Sequence, residues 1–245
     1  MGRDDSQGGP MRDKRISAGK DRRLAVTVRD PALSALLGTL LEEWSYEVVS
    51  RPEETSLVLL EEGLTSPAPG AEVVRLARSP ISGRDRIALP LLVEEIWAAL
   101  EPRFHRPPRA HIRIDLNRPA RVSVRGELET TRIVSLSDLG TRFSLTRELV
   151  NDEVLQLEVE LDGSSWRLQG RVIYVIPRGD LDGSGCFDIG MLFIHPEIET
   201  RGALRAIVVR NYLERVARRL PAELFRGGLE YFALPTATRR GLSAG

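Results

Sequence analysis

Cysteine is almost missing from this chain. Cys186 stands alone among 245 residues, which excludes an intramolecular disulfide and the usual cysteine-based zinc sites. Its place in an expected turn before the last strand reads as a partly buried thiol rather than a nucleophile. Histidine is nearly as scarce: His105, His111 and His195 are the only three, and none belongs to a nucleophile or metal motif. There is no Walker-type glycine-rich phosphate loop and no dinucleotide fingerprint. The adjacent carboxylates Glu61 and Glu62 point in different directions on a strand or turn, so they read as a solvated pair rather than an acid–base couple. An enzyme is not expected, nor is a cofactor. No uninterrupted apolar run approaches membrane-spanning length. Met1 to Arg23 lacks the apolar stretch of a secretory signal, so the expected location is the cytoplasm, with no membrane span. Aromatics make up only 5%, too few for a stacking platform along single-stranded nucleic acid. Lys+Arg and Asp+Glu both number 35, which removes any global attraction to polyanions.

What is present suffices for two domains with cores of their own. Residues 1–23 are polar and charged and read as a disordered tail. Residues 24–101 alternate strand and helix. Leu24 to Val28 is a short β-type run, and Asp30-Pro31 is a helix start carrying a leucine stripe at Leu33, Leu36, Leu37, Leu40 and Leu41. Further strands are expected at Tyr46 to Val49, Ser56 to Leu60, Glu72 to Ala77 and Arg86 to Leu89, with a last helix over Val93 to Leu100. Apolar strands alternating with helices predict a small parallel α/β sheet.

Residues 102–119 form an arginine-rich linker arm. Arginines at 103, 106, 109, 113 and 118, continuing to 121 and 125, face the single acid Asp115. That run reads as an anion-binding element or as a solvated basic linker. From Ala120 to Leu220 the pattern turns all-β, with strands at Arg121 to Arg125, Thr130 to Leu136, Thr141 to Leu145, Val154 to Leu161, Trp166 to Ile176 and Phe187 to Ile194. Asp162-Gly163-Ser164 and the stretch from Gly179 to Gly185 are hairpin signals. A helix follows with one apolar face, Leu204, Ile207, Val208, Tyr212, Val216 and Leu220. Residues 221–245 read as a loosely packed tail, whose Phe225, Leu229, Tyr231, Phe232 and Leu234 dock on a groove that sequence rules do not identify.

Two short motifs carry the chemistry. Arg109-Ala110-His111-Ile112-Arg113 spaces two guanidinium forks as RxxxR ahead of the first β-strand. Such forks match phosphate oxygens or the O6/N7 edge of guanine. Ser135-Leu136-Ser137-Asp138-Leu139-Gly140 then offers short hydrogen-bonding arms and a glycine that admits close approach. In this order, at the entrance to an all-β segment, the two resemble the PilZ family of cyclic di-GMP receptors. The resemblance runs from about Arg103 to Leu220 and includes Trp166 to Val175 as the long barrel strand and Asp188-Ile189-Gly190-Met191-Leu192-Phe193 as the closing strand. It implies a six-stranded β-barrel with a C-terminal helix. Residues 24–101 are similar to a shortened, degenerate response-regulator receiver domain. Glu61 stands at its phospho-acceptor position, Arg29-Asp30 at its acidic pair, and Leu89 where a lysine is expected.

The PilZ resemblance implies that Arg109 and Arg113 grip phosphates and guanine, that Ser135 and Ser137 hydrogen-bond the ligand, and that Gly140 leaves the barrel surface open. Arg106 precedes the motif as an auxiliary cation. Ser135 departs from the family's Asp or Asn, so a charge-assisted hydrogen bond of roughly 1.5–3 kcal/mol is lost and Ser135→Asp is expected to tighten binding. The implied function is a cyclic di-GMP receptor or adaptor that turns ligand binding into a change of domain arrangement and of contact with an unidentified motility, pilus, secretion or signalling protein. The alternative is a PilZ-fold protein-interaction module that no longer binds the ligand. Binding of a nucleic acid polymer through the arginine run is not expected.

Overall fold

Successive residues of a strand face opposite ways, and in the first strand Leu24 and Ala25 divide the N-terminal core in two. The structure is a computed structural model and describes residues 22–51, 53, 55–78, 83–178 and 185–243. Nearly all of the expected disordered tail, and most of the hairpin signal at Gly179 to Gly185, lie outside the described residues. Strands β1 (Arg23–Thr27), β2 (Glu47–Val48), β3 (Leu57–Glu61), β4 (Glu72–Ala77) and β5 (Arg86–Ala88) form a parallel sheet in the order β2-β1-β3-β4-β5. That order belongs to doubly wound α/β folds.

Helices α1 (Pro31–Glu43) and α2 (Val93–Phe104) share a cluster with Leu24, Leu57, Leu59, Val74 and Leu76, and so cover one sheet face. The other face, with Ala25, Val58 and Leu60, is covered by loop residues Val49, Leu64, Ala68 and Ala71. The stretch between β3 and β4 is too short for a crossover helix and crosses as a loop. Helix α1 starts where expected: the Asp30 carboxylate accepts from the N–H groups of Ala32 (2.7 Å) and Leu33 (3.3 Å), with Pro31 in the first turn.

The expected six strands close into an antiparallel barrel. They are β6 (Ile114–Val124), β7 (Glu127–Leu136), β8 (Gly140–Leu145), β9 (Val154–Leu161), β10 (Ser164–Arg178) and β11 (Cys186–Phe193), ordered β10-β11-β8-β7-β6-β9. Alternation fills the interior with Val122, Val124, Ile133, Phe143, Leu157, Val172 and Ile189, all fully buried. Strand β6 begins at Ile114, earlier than sequence suggested. Pro119 reads as a strand breaker, yet it lies where β6 pairs with β7 alone, because pairing with β9 begins at Ala120. The stretch between α2 and the barrel therefore narrows to residues 105–113.

Helix α3 (Ile198–Arg219) buries the expected stripe of Leu204, Ile207, Val208, Tyr212 and Val216. It also reaches the N-terminal domain: Arg219 pairs with Glu42 and Glu43 of α1, and the Trp44 ring meets Trp97 and Tyr212 edge-on at 5.3 and 6.0 Å. The segment from Pro221 is not loosely packed. It forms α4 (Ala222–Leu229) and α5 (Thr236–Ser243) and seats Phe225, Leu229 and Phe232 in the core, each contributing roughly 1.5–3 kcal/mol of apolar burial. It packs against α1. There a Cβ on Gly228 would stand 2.7 Å from both the Ala32 carbonyl oxygen and the Leu36 Cβ, so only glycine permits this approach. One apolar cluster consequently runs from Leu24 to Leu242 through both domains.

Candidate ligand-binding site on the barrel

Three register shifts interrupt the barrel ladders, between Asp115 and Arg118, Ile133 and Ser135, and Val172 and Tyr174. A bulge inserts a residue and turns the side chains after it to the other face. Ser135 would otherwise continue the inward series Thr131, Ile133, and Tyr174 the inward series Leu168, Gly170, Val172. Past the bulges both line a depression on the outer wall. Across four strands the paired positions are Ser135 with Arg142, Arg142 with Gly190, and Gly190 with Tyr174. The Tyr174 ring lies over Gly190, where a Cβ would come within 2.1 Å of its Cε1. His111, Arg113, Ser137 and Gly140 also line the depression.

The turn between β7 and β8 is closed by its own serine. The Ser137 Oγ accepts from the N–H groups of Leu139 (3.3 Å) and Gly140 (3.1 Å) and donates to the Gly140 carbonyl (3.2 Å). Ser137 is 3% exposed, so its hydroxyl is committed to shaping the turn. Gly140 is fixed by packing, since a Cβ there would stand 2.5 Å from the Met191 carbonyl oxygen on β11.

Asp138, between them, is 2% exposed and gathers basic side chains from the linker and from α3. Its carboxylate lies 2.9 Å from His111 Nδ1, 2.7 Å from Arg205 Nη2 and 3.4 Å from Arg201 Nη2. Burial works to raise this carboxyl, but the Arg205 hydrogen bond, the His111 charge and Arg201 outweigh it and hold the group below its ordinary value. The turn is thereby tied both to residues 105–113 and to α3.

The two arginines of RxxxR are placed differently. Arg113 lines the depression, and its carbonyl accepts from the Tyr212 hydroxyl at 2.5 Å; burial pushes that phenol up to about 12. Arg109 is outside the depression. Its N–H donates to Glu101 Oε1 and its carbonyl accepts from Trp97 Nε1, both at 3.2 Å, so helix α2 holds its backbone from both sides. Glu101 is 1% exposed, and its charge adds to burial in raising the Tyr46 hydroxyl above its ordinary value. Arg106 faces a different groove, with Arg84, Arg86 and Arg103.

Sequence reasoning passed over His111, Asp138, Arg142 and Tyr174. Arg142 had a signal, because Gly140 and Arg142 share a strand face at spacing two. Tyr174 had none, because the bulge that turns it outward leaves no mark in the residue pattern. At the carboxyl ends of β1 and β3, Arg29 Nη1 donates to Glu61 Oε1 at 2.8 Å and the Arg29 N–H to Glu61 Oε2 at 2.7 Å. Beside them the Tyr231 hydroxyl donates to Asp30 Oδ2 at 2.7 Å. Among the described residues no cluster of three His, Cys, Asp or Glu is placed to hold a metal, and no helix is long and apolar enough to cross a membrane.

A closed six-stranded antiparallel barrel with a basic segment before its first strand and a serine-closed turn on its wall defines a class of small closed β-barrel domains. Residues 107–210 match the model of the PilZ domain family, and this chain carries a PilZ domain over that segment. No curated protein matches the chain. Among solved structures it is similar to the PilZ domain with c-di-GMP of YcgR from Escherichia coli, at 15% identity and TM-score 0.39, covering 45% of this chain and 95% of that one. It is also similar to the inhibitor of motility MotI/DgrA of Bacillus subtilis, at 16% identity and TM-score 0.38, covering 44% of this chain and 52% of the other. The MrkH–c-di-GMP complex of K. pneumonia matches at 19% identity and TM-score 0.39, covering 46% of this chain and 55% of MrkH. The chain thus spans about half the length of the last two.

Proposed function

We propose that this protein is a cyclic di-GMP receptor or adaptor whose ligand binds on the outer wall of the barrel. The observation that carries the reading is a single depression, inside the matched PilZ segment, in which Arg113 and Arg142 face the turn formed by Ser135, Ser137 and Gly140. Two guanidinium forks beside a glycine turn suit a ligand with two phosphates and two guanines, since charge-assisted bidentate contacts are the strong ones. Arg109, four residues before Arg113, joins the site when the linker swings onto the barrel. Ser135 contributes a hydroxyl, and Ser137 the shape of the turn.

The proposed domains run to Phe104 and from Ile114 to Leu220, joined by the linker 105–113, with α4 packed against α1 of the first. The N-terminal domain is a receiver-like module without phosphoryl chemistry. Its strand order supports this, as does Glu61 held by Arg29 where an acceptor aspartate would stand. The shared core across α1, α3 and α4 favours a ligand response confined to the linker. Drawing Arg109 onto the ligand removes its backbone from Trp97 and Glu101 and uncovers a face of α2 for a protein partner.

The test is calorimetric titration of the full chain with cyclic di-GMP, beside the Arg109→Ala/Arg113→Ala double variant. Saturable binding lost in the double variant supports the receptor. Absence of binding by the parent protein at high micromolar ligand leaves a PilZ-fold interaction module. Ser135 in place of a carboxylate and the commitment of the Ser137 hydroxyl to its turn favour that second reading.

A further inference from the structure

Most arginines on this surface have found a carboxylate: Arg29 with Glu61, Arg121 with Glu158, Arg125 with Glu153 and Arg147 with Glu127 are examples. Arg142 has no ion pair among the described residues, and its Nε is withdrawn from solvent with no hydrogen-bond partner. A buried donor left unsatisfied is costly, so its persistence asks for an explanation. The cross-strand neighbours supply one. Arg142 pairs with Ser135 on one side and Gly190 on the other, and both neighbours line the same depression. A carboxylate at position 135 would sit within reach of the guanidinium and neutralise it. A serine leaves it charged.

We propose that Arg142 reads the guanine base of the ligand through its O6/N7 edge, replacing recognition by a carboxylate at position 135. The inference rests on the receptor reading above and adds to it how the base is chosen. A carboxylate complements the donor edge of guanine, N1–H and the amino group. An arginine fork presents only donors and complements the acceptor pair O6/N7. Adenine offers N7 beside an amino group, so the same fork rejects it. The Tyr174 ring, packed against Gly190 in the same row, gives the base an aromatic wall. Serine at 135 and an arginine without an ion pair opposite it suit a single mode of base recognition.

The experiment is calorimetric titration of the full-length protein and of Arg142→Met and Arg142→Lys with cyclic di-GMP and cyclic di-AMP, with thermal melts to confirm folding. Arg142→Met is expected to weaken cyclic di-GMP about tenfold or more and to narrow the preference over cyclic di-AMP. Lysine keeps the charge but not the fork, so Arg142→Lys is expected to recover little of the base preference. Full recovery by lysine would assign the contact to phosphate and overturn base reading. Affinity of Arg142→Met within about threefold of the parent overturns the inference alone, being below the discrimination of one bidentate contact. A parent protein that binds neither dinucleotide overturns the receptor reading and this inference with it.

Discussion

The two ends of this molecule treat their charges in opposite ways. At the carboxyl edge of the N-terminal sheet, where doubly wound folds keep their ligands, Arg29 is bound to Glu61 and Asp30 to Tyr231. The segment after α4 lies across that edge: the Leu91 N–H donates to the Tyr231 carbonyl and the Ala233 N–H to the Leu91 carbonyl. On the barrel wall Arg113 has no ion pair among the described residues and Arg142 lacks a partner for its Nε. One site is closed by the chain's own groups, and the other is left for something outside the chain. Fold alone would have placed the chemistry at the first; the proposed ligand site is the second.

The contrast breaks most directly through paired substitutions. Arg109→Ala/Arg113→Ala is expected to weaken cyclic di-GMP by roughly a hundredfold or more, two charge-assisted contacts at about 1.5–3 kcal/mol each. Arg29→Ala/Glu61→Gln removes an exposed ion pair and is expected to leave that affinity unchanged. Calorimetry on both proteins decides it, and an equal loss in each would erase the distinction between closed and open sites. Gly228→Val tests the join between the domains. The added side chain meets the Ala32 carbonyl and Leu36, so unfolding in urea should show a loss of about 1–3 kcal/mol, with both domains still melting together.

Legibility in the sequence followed the same division. Elements specified by periodicity could be read: the leucine stripe of α1, the six barrel strands and the apolar face of α3. Elements specified by tertiary context could not. Nothing in Phe225, Leu229 and Phe232 says that α1 is their partner, because α1 shows sequence rules one apolar stripe, and no pattern says that Leu36 of that stripe also meets α4. Within the site, RxxxR and the Ser-x-Ser-x-x-Gly turn were visible as spacings, but the spacing could not say that α2 holds the Arg109 backbone. The bulges before Ser135 and Tyr174 decide which side chains face the proposed ligand site, and a one-residue shift has no compositional signature. The cross-strand Arg142 also alters the outlook for Ser135→Asp. An aspartate there pairs with Arg142, so the variant is now expected to bind no more tightly than the parent, and tightening in the same titration would restore the carboxylate account.

Asp138 sharpens the comparison at smaller scale, because it is a closed site behind the open one. Its folded-state carboxyl lies below the ordinary 3.8, so the stabilisation it gives is fully present above that value and is lost as pH falls through the folded value. Asp138→Asn removes the buried carboxylate that Arg201 and Arg205 share, leaving Arg205 only Glu94, at 3.9 Å. Given the partial exposure of both arginines, a loss of roughly 1–2 kcal/mol is expected near neutral pH and a smaller one near pH 3. Urea denaturation at the two pH values measures it; an equal loss at both would assign the effect to packing instead of charge.

The smallest expected effect belongs to Tyr231→Phe. The phenol donates to the Asp30 carboxylate, which also caps α1 through the N–H groups of Ala32 and Leu33. The Tyr231 bond, ahead of those two backbone bonds, holds the Asp30 carboxyl below its ordinary value against a smaller opposing effect of burial. Removing the hydroxyl leaves the cap intact and the carboxylate open to water, so the loss should be at most about 1 kcal/mol, the net worth of one partly exposed hydrogen bond. Because the Asp30 value rises towards normal in the variant, the difference between the two proteins should vanish once acid protonates the carboxyl in both. Cyclic di-GMP affinity should not move, since this bond closes the sheet edge and not the barrel wall. A change in ligand affinity on removing this one oxygen would mean that the two ends communicate through α1 and α3, and that the closed edge serves the open site as well as the fold.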